Sequence, residues 1–173
     1  MTSDTIPEWV TGLIVPIFKD GSKMDPNNYR GITLMSCLGK LFLSILNARL
    51  LEFVLKNGIL GSNQLGFVPG NRTSDAHIII NNIVNKICHR SNKKLFSCFV
   101  DFRKAFDLVS RDILLGNLLK LGINGKFFNV IRNIYTSDRA CVKLNGKRSE
   151  SFRVDIGVRQ GCILSPLLFN IFV

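Results

Sequence analysis

Between Leu38 and Lys56 the apolar residues Leu38, Leu41, Phe42, Ile45, Leu46, Leu50, Phe53 and Val54 recur at intervals of three and four. Only a helix brings such positions onto one face, so this stretch predicts a long amphipathic helix, which Asn57-Gly58 is suited to end. A second helix is expected from Thr73, Ser74 or Asp75 to about His89, with Ile79, Ile80, Ile83, Val84 and Ile87 on one side. Near residue 95 the texture changes, and shorter elements alternate. Leu95–Phe102 (LFSCFVDF) reads as a buried strand that ends at an aspartate. Helices are expected from Ser110 to about Leu121 and over Lys126–Tyr135. A hairpin of Arg139–Leu144 with Phe152–Ile156 should turn at Asn145-Gly146. An apolar helix should begin near Leu164. Towards the N-terminus, Val10–Phe18 is a β-prone run before the turn residues Asp20-Gly21-Ser22. The fold class is therefore α/β of the α+β type. A small antiparallel sheet in the second half should carry Asp101 on its central strand. Leu167, Leu168, Phe169, Ile171 and Phe172 of the last helix should leave apolar surface exposed.

The 173 residues suit one domain or slightly more. Twenty-three Lys and Arg against twelve Asp and Glu leave a formal charge of +11. That balance favours a polyanionic partner, nucleic acid or an anionic membrane surface. A membrane span is not expected, because Asn47, Arg49, Glu52 and Lys56 interrupt the most apolar stretch. Met1–Trp9 has neither the basic start nor the apolar core of a secretory signal. Five cysteines without a C-x-x-C pair match neither a disulfide framework nor a zinc module, and read as buried reduced thiols of an intracellular protein. His77 and His89 lack partners at metal-ligand spacing.

Three stretches could carry chemistry. In Phe99–Asp107 (FVDFRKAFD) the aspartate at a strand end can reach solvent as a hard oxygen ligand for Mg²⁺; equally, Asp101 caps the following turn. In Gly157–Pro166 (GVRQGCILSP) glycines flank an Arg-Gln pair, which suits close approach to a ligand or an ordinary turn into a helix. Gln160 carries donors and an acceptor for a base edge or a sugar. Lys19 and Arg30 flank the DGSKMDPNNY loop, either to clamp phosphate or as solvated charges.

Together these stretches resemble the reverse transcriptase domain of non-LTR (LINE-type) retrotransposons. The resemblance runs from Trp9 to Val173 through VPIFKDG (Val15–Gly21), NYRGITLMS (Asn28–Ser36), QLGF (Gln64–Phe67) with Thr73-Ser74-Asp75, FVDFRKAFD, and GVRQGCILSPLLFNIF (Gly157–Phe172), in the family's order. It implies a right-hand polymerase fold, with helical fingers over residues 1–95 and part of the palm over 96–173. Asp101 then matches a catalytic, metal-binding aspartate, and Phe102 supplies a backbone carbonyl to the metal. Phe106 matches the aromatic that discriminates deoxyribose from ribose. Lys19 and Arg30 match cations that hold the incoming triphosphate, and Gln160 and Gly161 match the segment against the templating base and nucleotide. Arg72, Lys93, Lys94, Arg103 and Arg159 are candidate nucleic-acid contacts. Gly31 stands where many relatives have Pro, which should loosen a loop.

The resemblance also implies Mg²⁺ as cofactor, and RNA template, DNA primer and dNTPs as partners. A nuclear or cytoplasmic setting is expected. The family's [FY]-x-D-D turn does not occur in the sequence, and after Asp101 no two acidic residues are adjacent. Two-metal phosphoryl transfer needs carboxylates that hold both ions. The chain therefore reads as a polymerase fragment, inactive alone, that lacks the rest of the palm and the thumb. The alternatives are a nucleic-acid-binding remnant without chemistry and a basic structural protein of a ribonucleoprotein.

Overall fold

The computed structural model describes residues 11–91 and 93–173. Met1–Trp9, Val10 of the first expected strand and Asn92 lie outside them. Two compact units are present. One combines the chain up to Ile59 with Lys104–Val173, and the other is Leu60–Arg103.

The first unit is built on a mixed sheet. Strand β1 (Gly12–Phe18) pairs antiparallel with β2 (Tyr29–Leu34), with Val15 opposite Ile32 and Ile17 opposite Arg30. The other edge of β1 runs parallel to β3 (Arg139–Leu144), with Leu13 opposite Cys141. Beyond β3 lie two short antiparallel pieces, β4 (Lys147–Arg148) and β5 (Phe152–Arg153). The Asn145-Gly146 turn has φ of 50° and 77°, the positive pair that matches strand twist in a two-residue hairpin. The expected second hairpin strand, Phe152–Ile156, shrinks to β5, because its partner β3 begins at Arg139, opposite Arg153; past that pair only Val154 N donates back, to Asp138 O at 3.0 Å.

Helix α1 (Cys37–Lys56) starts where Ser36 Oγ accepts from the Gly39 amide at 3.0 Å. It buries Leu43, Leu46, Leu50 and Val54 and leaves Leu38, Leu41 and Ile45 exposed. Leucines stand on both faces, so spacing alone does not choose the inner one. Helices α3 (Arg111–Lys120), α4 (Gly125–Thr136) and α5 (Ser165–Phe172) contribute Leu114, Leu118, Phe128, Ile131, Leu168 and Ile171 to the core. Each such side chain contributes on the order of 1.5–3 kcal/mol on burial.

Five expectations need correction. The sheet is mixed, and two of its strands come from the first third of the chain. Leu95–Phe102 forms no strand: Phe96 is 88% exposed and Phe99 81%, and no described strand runs beside them. Apolar content cannot make a strand without a neighbour to complete its hydrogen-bond ladder. The last helix hides its apolar face rather than baring it, since Leu167, Leu168 and Ile171 are buried and α5 packs on α3. Of the cysteines only Cys162 is buried; Cys37 and Cys98 are exposed, and all five are free. Gly31, placed by sequence in a loop, lies within β2 opposite Pro16.

The second unit contains α2 (Thr73–Val84), which runs on through a π-helical turn over Asn85–Arg90. The Arg72 amide donates to Asp75 Oδ2 at 2.7 Å and starts the helix. Ile78, Ile79, Ile80 and Ile83 are exposed along it.

Candidate functional site

Two sequence-distant stretches, 104–109 and 157–161, are joined through their backbones. The tight turn that begins at Lys104 (φ 51°) closes as the Asp107 and Leu108 amides donate to Lys104 O. Gly157 N then donates to Val109 O at 2.9 Å, and Val158 N to Phe106 O at 2.8 Å. Gly157 has φ 83°, and a Cβ there would lie 2.7 Å from Asp107 O, so the approach depends on glycine. The outer edge of β2 joins as well, because Thr33 N donates to Gln160 O at 2.8 Å. Gly161, at φ 96°, would place a Cβ 3.0 Å from Thr33 O. Phe106 and the Gln160-Gly161 segment, singled out by sequence, are thus tied together through backbone bonds, and Arg30 lies three residues along β2 from Thr33.

Gly31, Thr33, Asp107, Gly157 and Gln160 line a cleft of about 330 Å³. Within it, Gln160 Nε2 donates to Asp107 Oδ1 at 2.7 Å. Behind Asp107's neighbour, the Phe106 ring stacks on Phe169 of α5 with centroids 5.0 Å apart and planes 14° apart. Lys19 and Arg30 are both exposed on the β1–β2 hairpin, where Lys19 N donates to Asn28 O. Lys104 Nζ donates to Asn27 Oδ1 at 3.1 Å and ties the hairpin loop to the 104–109 turn.

A charge cluster of Arg111, Asp138 and Arg159 lines the same cleft. Asp138 is 1% exposed and accepts from two guanidinium groups. Arg111 Nη2 donates to Oδ2 at 2.8 Å, and Arg159 Nε to Oδ1 at 2.9 Å, with Arg159 Nη2 on the same oxygen. Arg111 also donates to the carbonyls of Gly157 (2.9 Å), Tyr135 (2.6 Å) and Val154, and its guanidinium lies over the Tyr135 ring. Burial pushes the Tyr135 phenol well above its ordinary range, so it stays neutral beside this cluster. One carboxylate between two arginines leaves one net positive charge inside. Arg159, read from sequence as a nucleic-acid contact, is thus buried and spends its guanidinium on Asp138. Sequence reading missed Arg111, Asp138 and Asp107; no local motif marks a buried ion cluster whose members are 21 and 27 residues apart.

Asp101, Phe102 and Arg103 are exposed in the second unit, outside any strand, as are Arg72, Lys93 and Lys94. Among the described residues no group of three or more His, Cys, Asp or Glu side chains could hold a metal ion. Asp101 offers one exposed carboxylate, fewer than the set that holds two ions in two-metal phosphoryl transfer.

Residues 18–173 match the family described as reverse transcriptase (RNA-dependent DNA polymerase), and the chain belongs to that family. Its relatives are RNA-directed DNA polymerases of non-LTR retrotransposons. It is 29% identical over 167 residues to the probable RNA-directed DNA polymerase from transposon X-element of Drosophila melanogaster, which covers 95% of this chain and 18% of that protein. The RNA-directed DNA polymerase from mobile element jockey of Drosophila funebris is 29% identical over 165 residues, 94% of this chain and 18% of the relative. The Pol polyprotein from the type-1 retrotransposable element R2 of Popillia japonica is 30% identical over 164 residues, 94% and 22% respectively. The chain thus spans about a fifth of the length of these relatives. The family is generally Mg²⁺-dependent and acts with RNA templates and nucleotide substrates. No helix among the described residues is long and apolar enough to cross a membrane.

Proposed function

We propose that the chain supplies the nucleotide-facing part of an RNA-directed DNA polymerase of a non-LTR element. The observation that supports this most is the joining of β2, the 104–109 turn and the 157–161 segment around one cleft, by four hydrogen bonds between segments distant in sequence. In this reading Lys19 and Arg30 hold the triphosphate of the incoming dNTP, Arg as a fork and Lys as a point charge. Phe106, backed by Phe169, is the wall against a 2′-hydroxyl. Gln160 and Gly161 lie against the nucleotide and the templating base. Asp101, with the Phe102 carbonyl, is the first ligand of the catalytic Mg²⁺ in the whole enzyme. Arg72, Lys93, Lys94 and Arg103 contact the RNA template and DNA primer. The fingers occupy residues 1–95 and the palm begins at 96.

Ultraviolet crosslinking of radiolabelled 5-bromo-dUTP to the chain, followed by peptide mapping, tests the assignment. Label on peptides that contain Arg30, Phe106 or Gln160, competed by unlabelled dTTP, is the expected result. Label spread evenly over surface lysines refutes it.

A second reading, a nucleic-acid-binding remnant without chemistry, is favoured by one observation: Asp101 has no acidic or histidine cluster around it among the described residues. Primer extension on an RNA template with Mg²⁺ and dNTPs separates the two. Extension by this chain above a no-protein control overturns the remnant.

A further inference from the structure

Gln160 and Asp107 are 53 residues apart and meet at 2.7 Å in the cleft. An ionised carboxylate has lone pairs and no proton to donate. The carboxamide must therefore turn its NH₂ towards Asp107, since its oxygen at that distance would face another oxygen. This settles which end of the planar amide is which, an assignment that its shape alone leaves open. With one Nε2 hydrogen committed to Asp107, Oε1 on the same amide carbon remains an acceptor, beside the second Nε2 hydrogen.

Both partners are held by backbone rather than by each other. Asp107 sits in a turn ladder-bonded to Gly157 and Val158, and the Gln160 carbonyl is fixed on β2 by Thr33. The side-chain bond adds no fold. It only selects one of two amide orientations.

We propose that Asp107 is a positioning residue that sets the hydrogen-bonding polarity of the cleft: through Gln160 it presents an acceptor oxygen, so the ligand engages there through a hydroxyl or amino donor. This deepens the nucleotide-site reading and rests on it for the identity of the ligand. An Asp107→Asn side chain can either accept from or donate to the amide, so it removes the bias without removing the contact.

The test uses the ¹⁵N-labelled 173-residue chain, with the Gln160 side-chain amide assigned by its loss in Gln160→Leu. In the unsubstituted chain one Gln160 amide proton should be shifted downfield and exchange slowly with water. In Asp107→Asn the shift should collapse and exchange should quicken several-fold, while the backbone amides of Gly157 and Val158 stay in place. Asp107→Asn with Gln160→Glu restores a donor–acceptor pair and an outward oxygen. Titration with dATP should show about tenfold weaker binding in Asp107→Asn and recovery in the double variant. If the Gln160 amide ignores Asp107→Asn, the positioning role is refuted whatever dATP does. If the Gly157 and Val158 amides move with it, Asp107 is merely structural and the proposal fails. If the amide responds as expected but dATP does not bind the unsubstituted chain, the nucleotide reading fails and the positioning stands.

Discussion

Replacing Asp138 by Asn is the sharpest test of how the cleft is supported. The substitution nearly preserves shape and removes a carboxylate that accepts from both Arg111 and Arg159. Two guanidinium groups, each under a tenth exposed, then lose the carboxylate that they share. Breaking a buried pair in this way costs about 3–5 kcal/mol. That is a large part of the roughly 5–15 kcal/mol that holds a domain together. For a chain of this size it corresponds to a midpoint lower by about 6–20 °C. Arg159→Met makes the comparison informative. It removes one of two cations, leaves Arg111 and Asp138 as a balanced pair at 2.8 Å, and should be clearly milder than Asp138→Asn. Urea titrations of both variants, followed by far-ultraviolet circular dichroism, give the two costs. Equal losses, or a greater loss in Arg159→Met, would refute the charge argument. A loss below about 1 kcal/mol in Asp138→Asn would show that water reaches the cluster and screens it.

Gly157→Ala should destabilise by about 1–3 kcal/mol, since it combines a positive φ with a Cβ 2.7 Å from Asp107 O, and urea denaturation measures this directly. Replacing Phe96 and Phe99 together by Ser should raise the concentration at which the chain stays monomeric in analytical ultracentrifugation. It should cost no more than about 0.5 kcal/mol of stability, because both rings are already in water. The excess of eleven positive charges should make RNA or DNA association fall steeply with salt and depend little on sequence. A flat plot of log affinity against log salt would contradict that.

Periodicity is a property of the chain itself, and helices were legible wherever it was strong. The limits of α1 and α4 lie within a residue of those read from the apolar spacing, with Asn57-Gly58 after α1 and Ser137-Asp138 after α4, and the β3–β4 turn follows from Asn145-Gly146, because such signals depend on residues a few positions apart. The motifs around Arg30, Phe106 and Gln160 were also readable as stretches with chemistry. What the sequence could not show was which of them meet. Strand β2 was missed because YRGITL carries little alternation, and it forms because β1 offers it a ladder on one side and Gln160 occupies its edge on the other. Leu95–Phe102 erred in the opposite sense: its composition is that of a buried strand, but burial and pairing need a partner, which is a tertiary property. Likewise the net charge in the cleft wall exists only because folding brings Arg111, Asp138 and Arg159 within hydrogen-bond reach. Local residue chemistry decided where helices and turns lie; long-range contacts, which no window of sequence contains, decided which strands pair, which cations are free and which carboxylates hold the cleft in place.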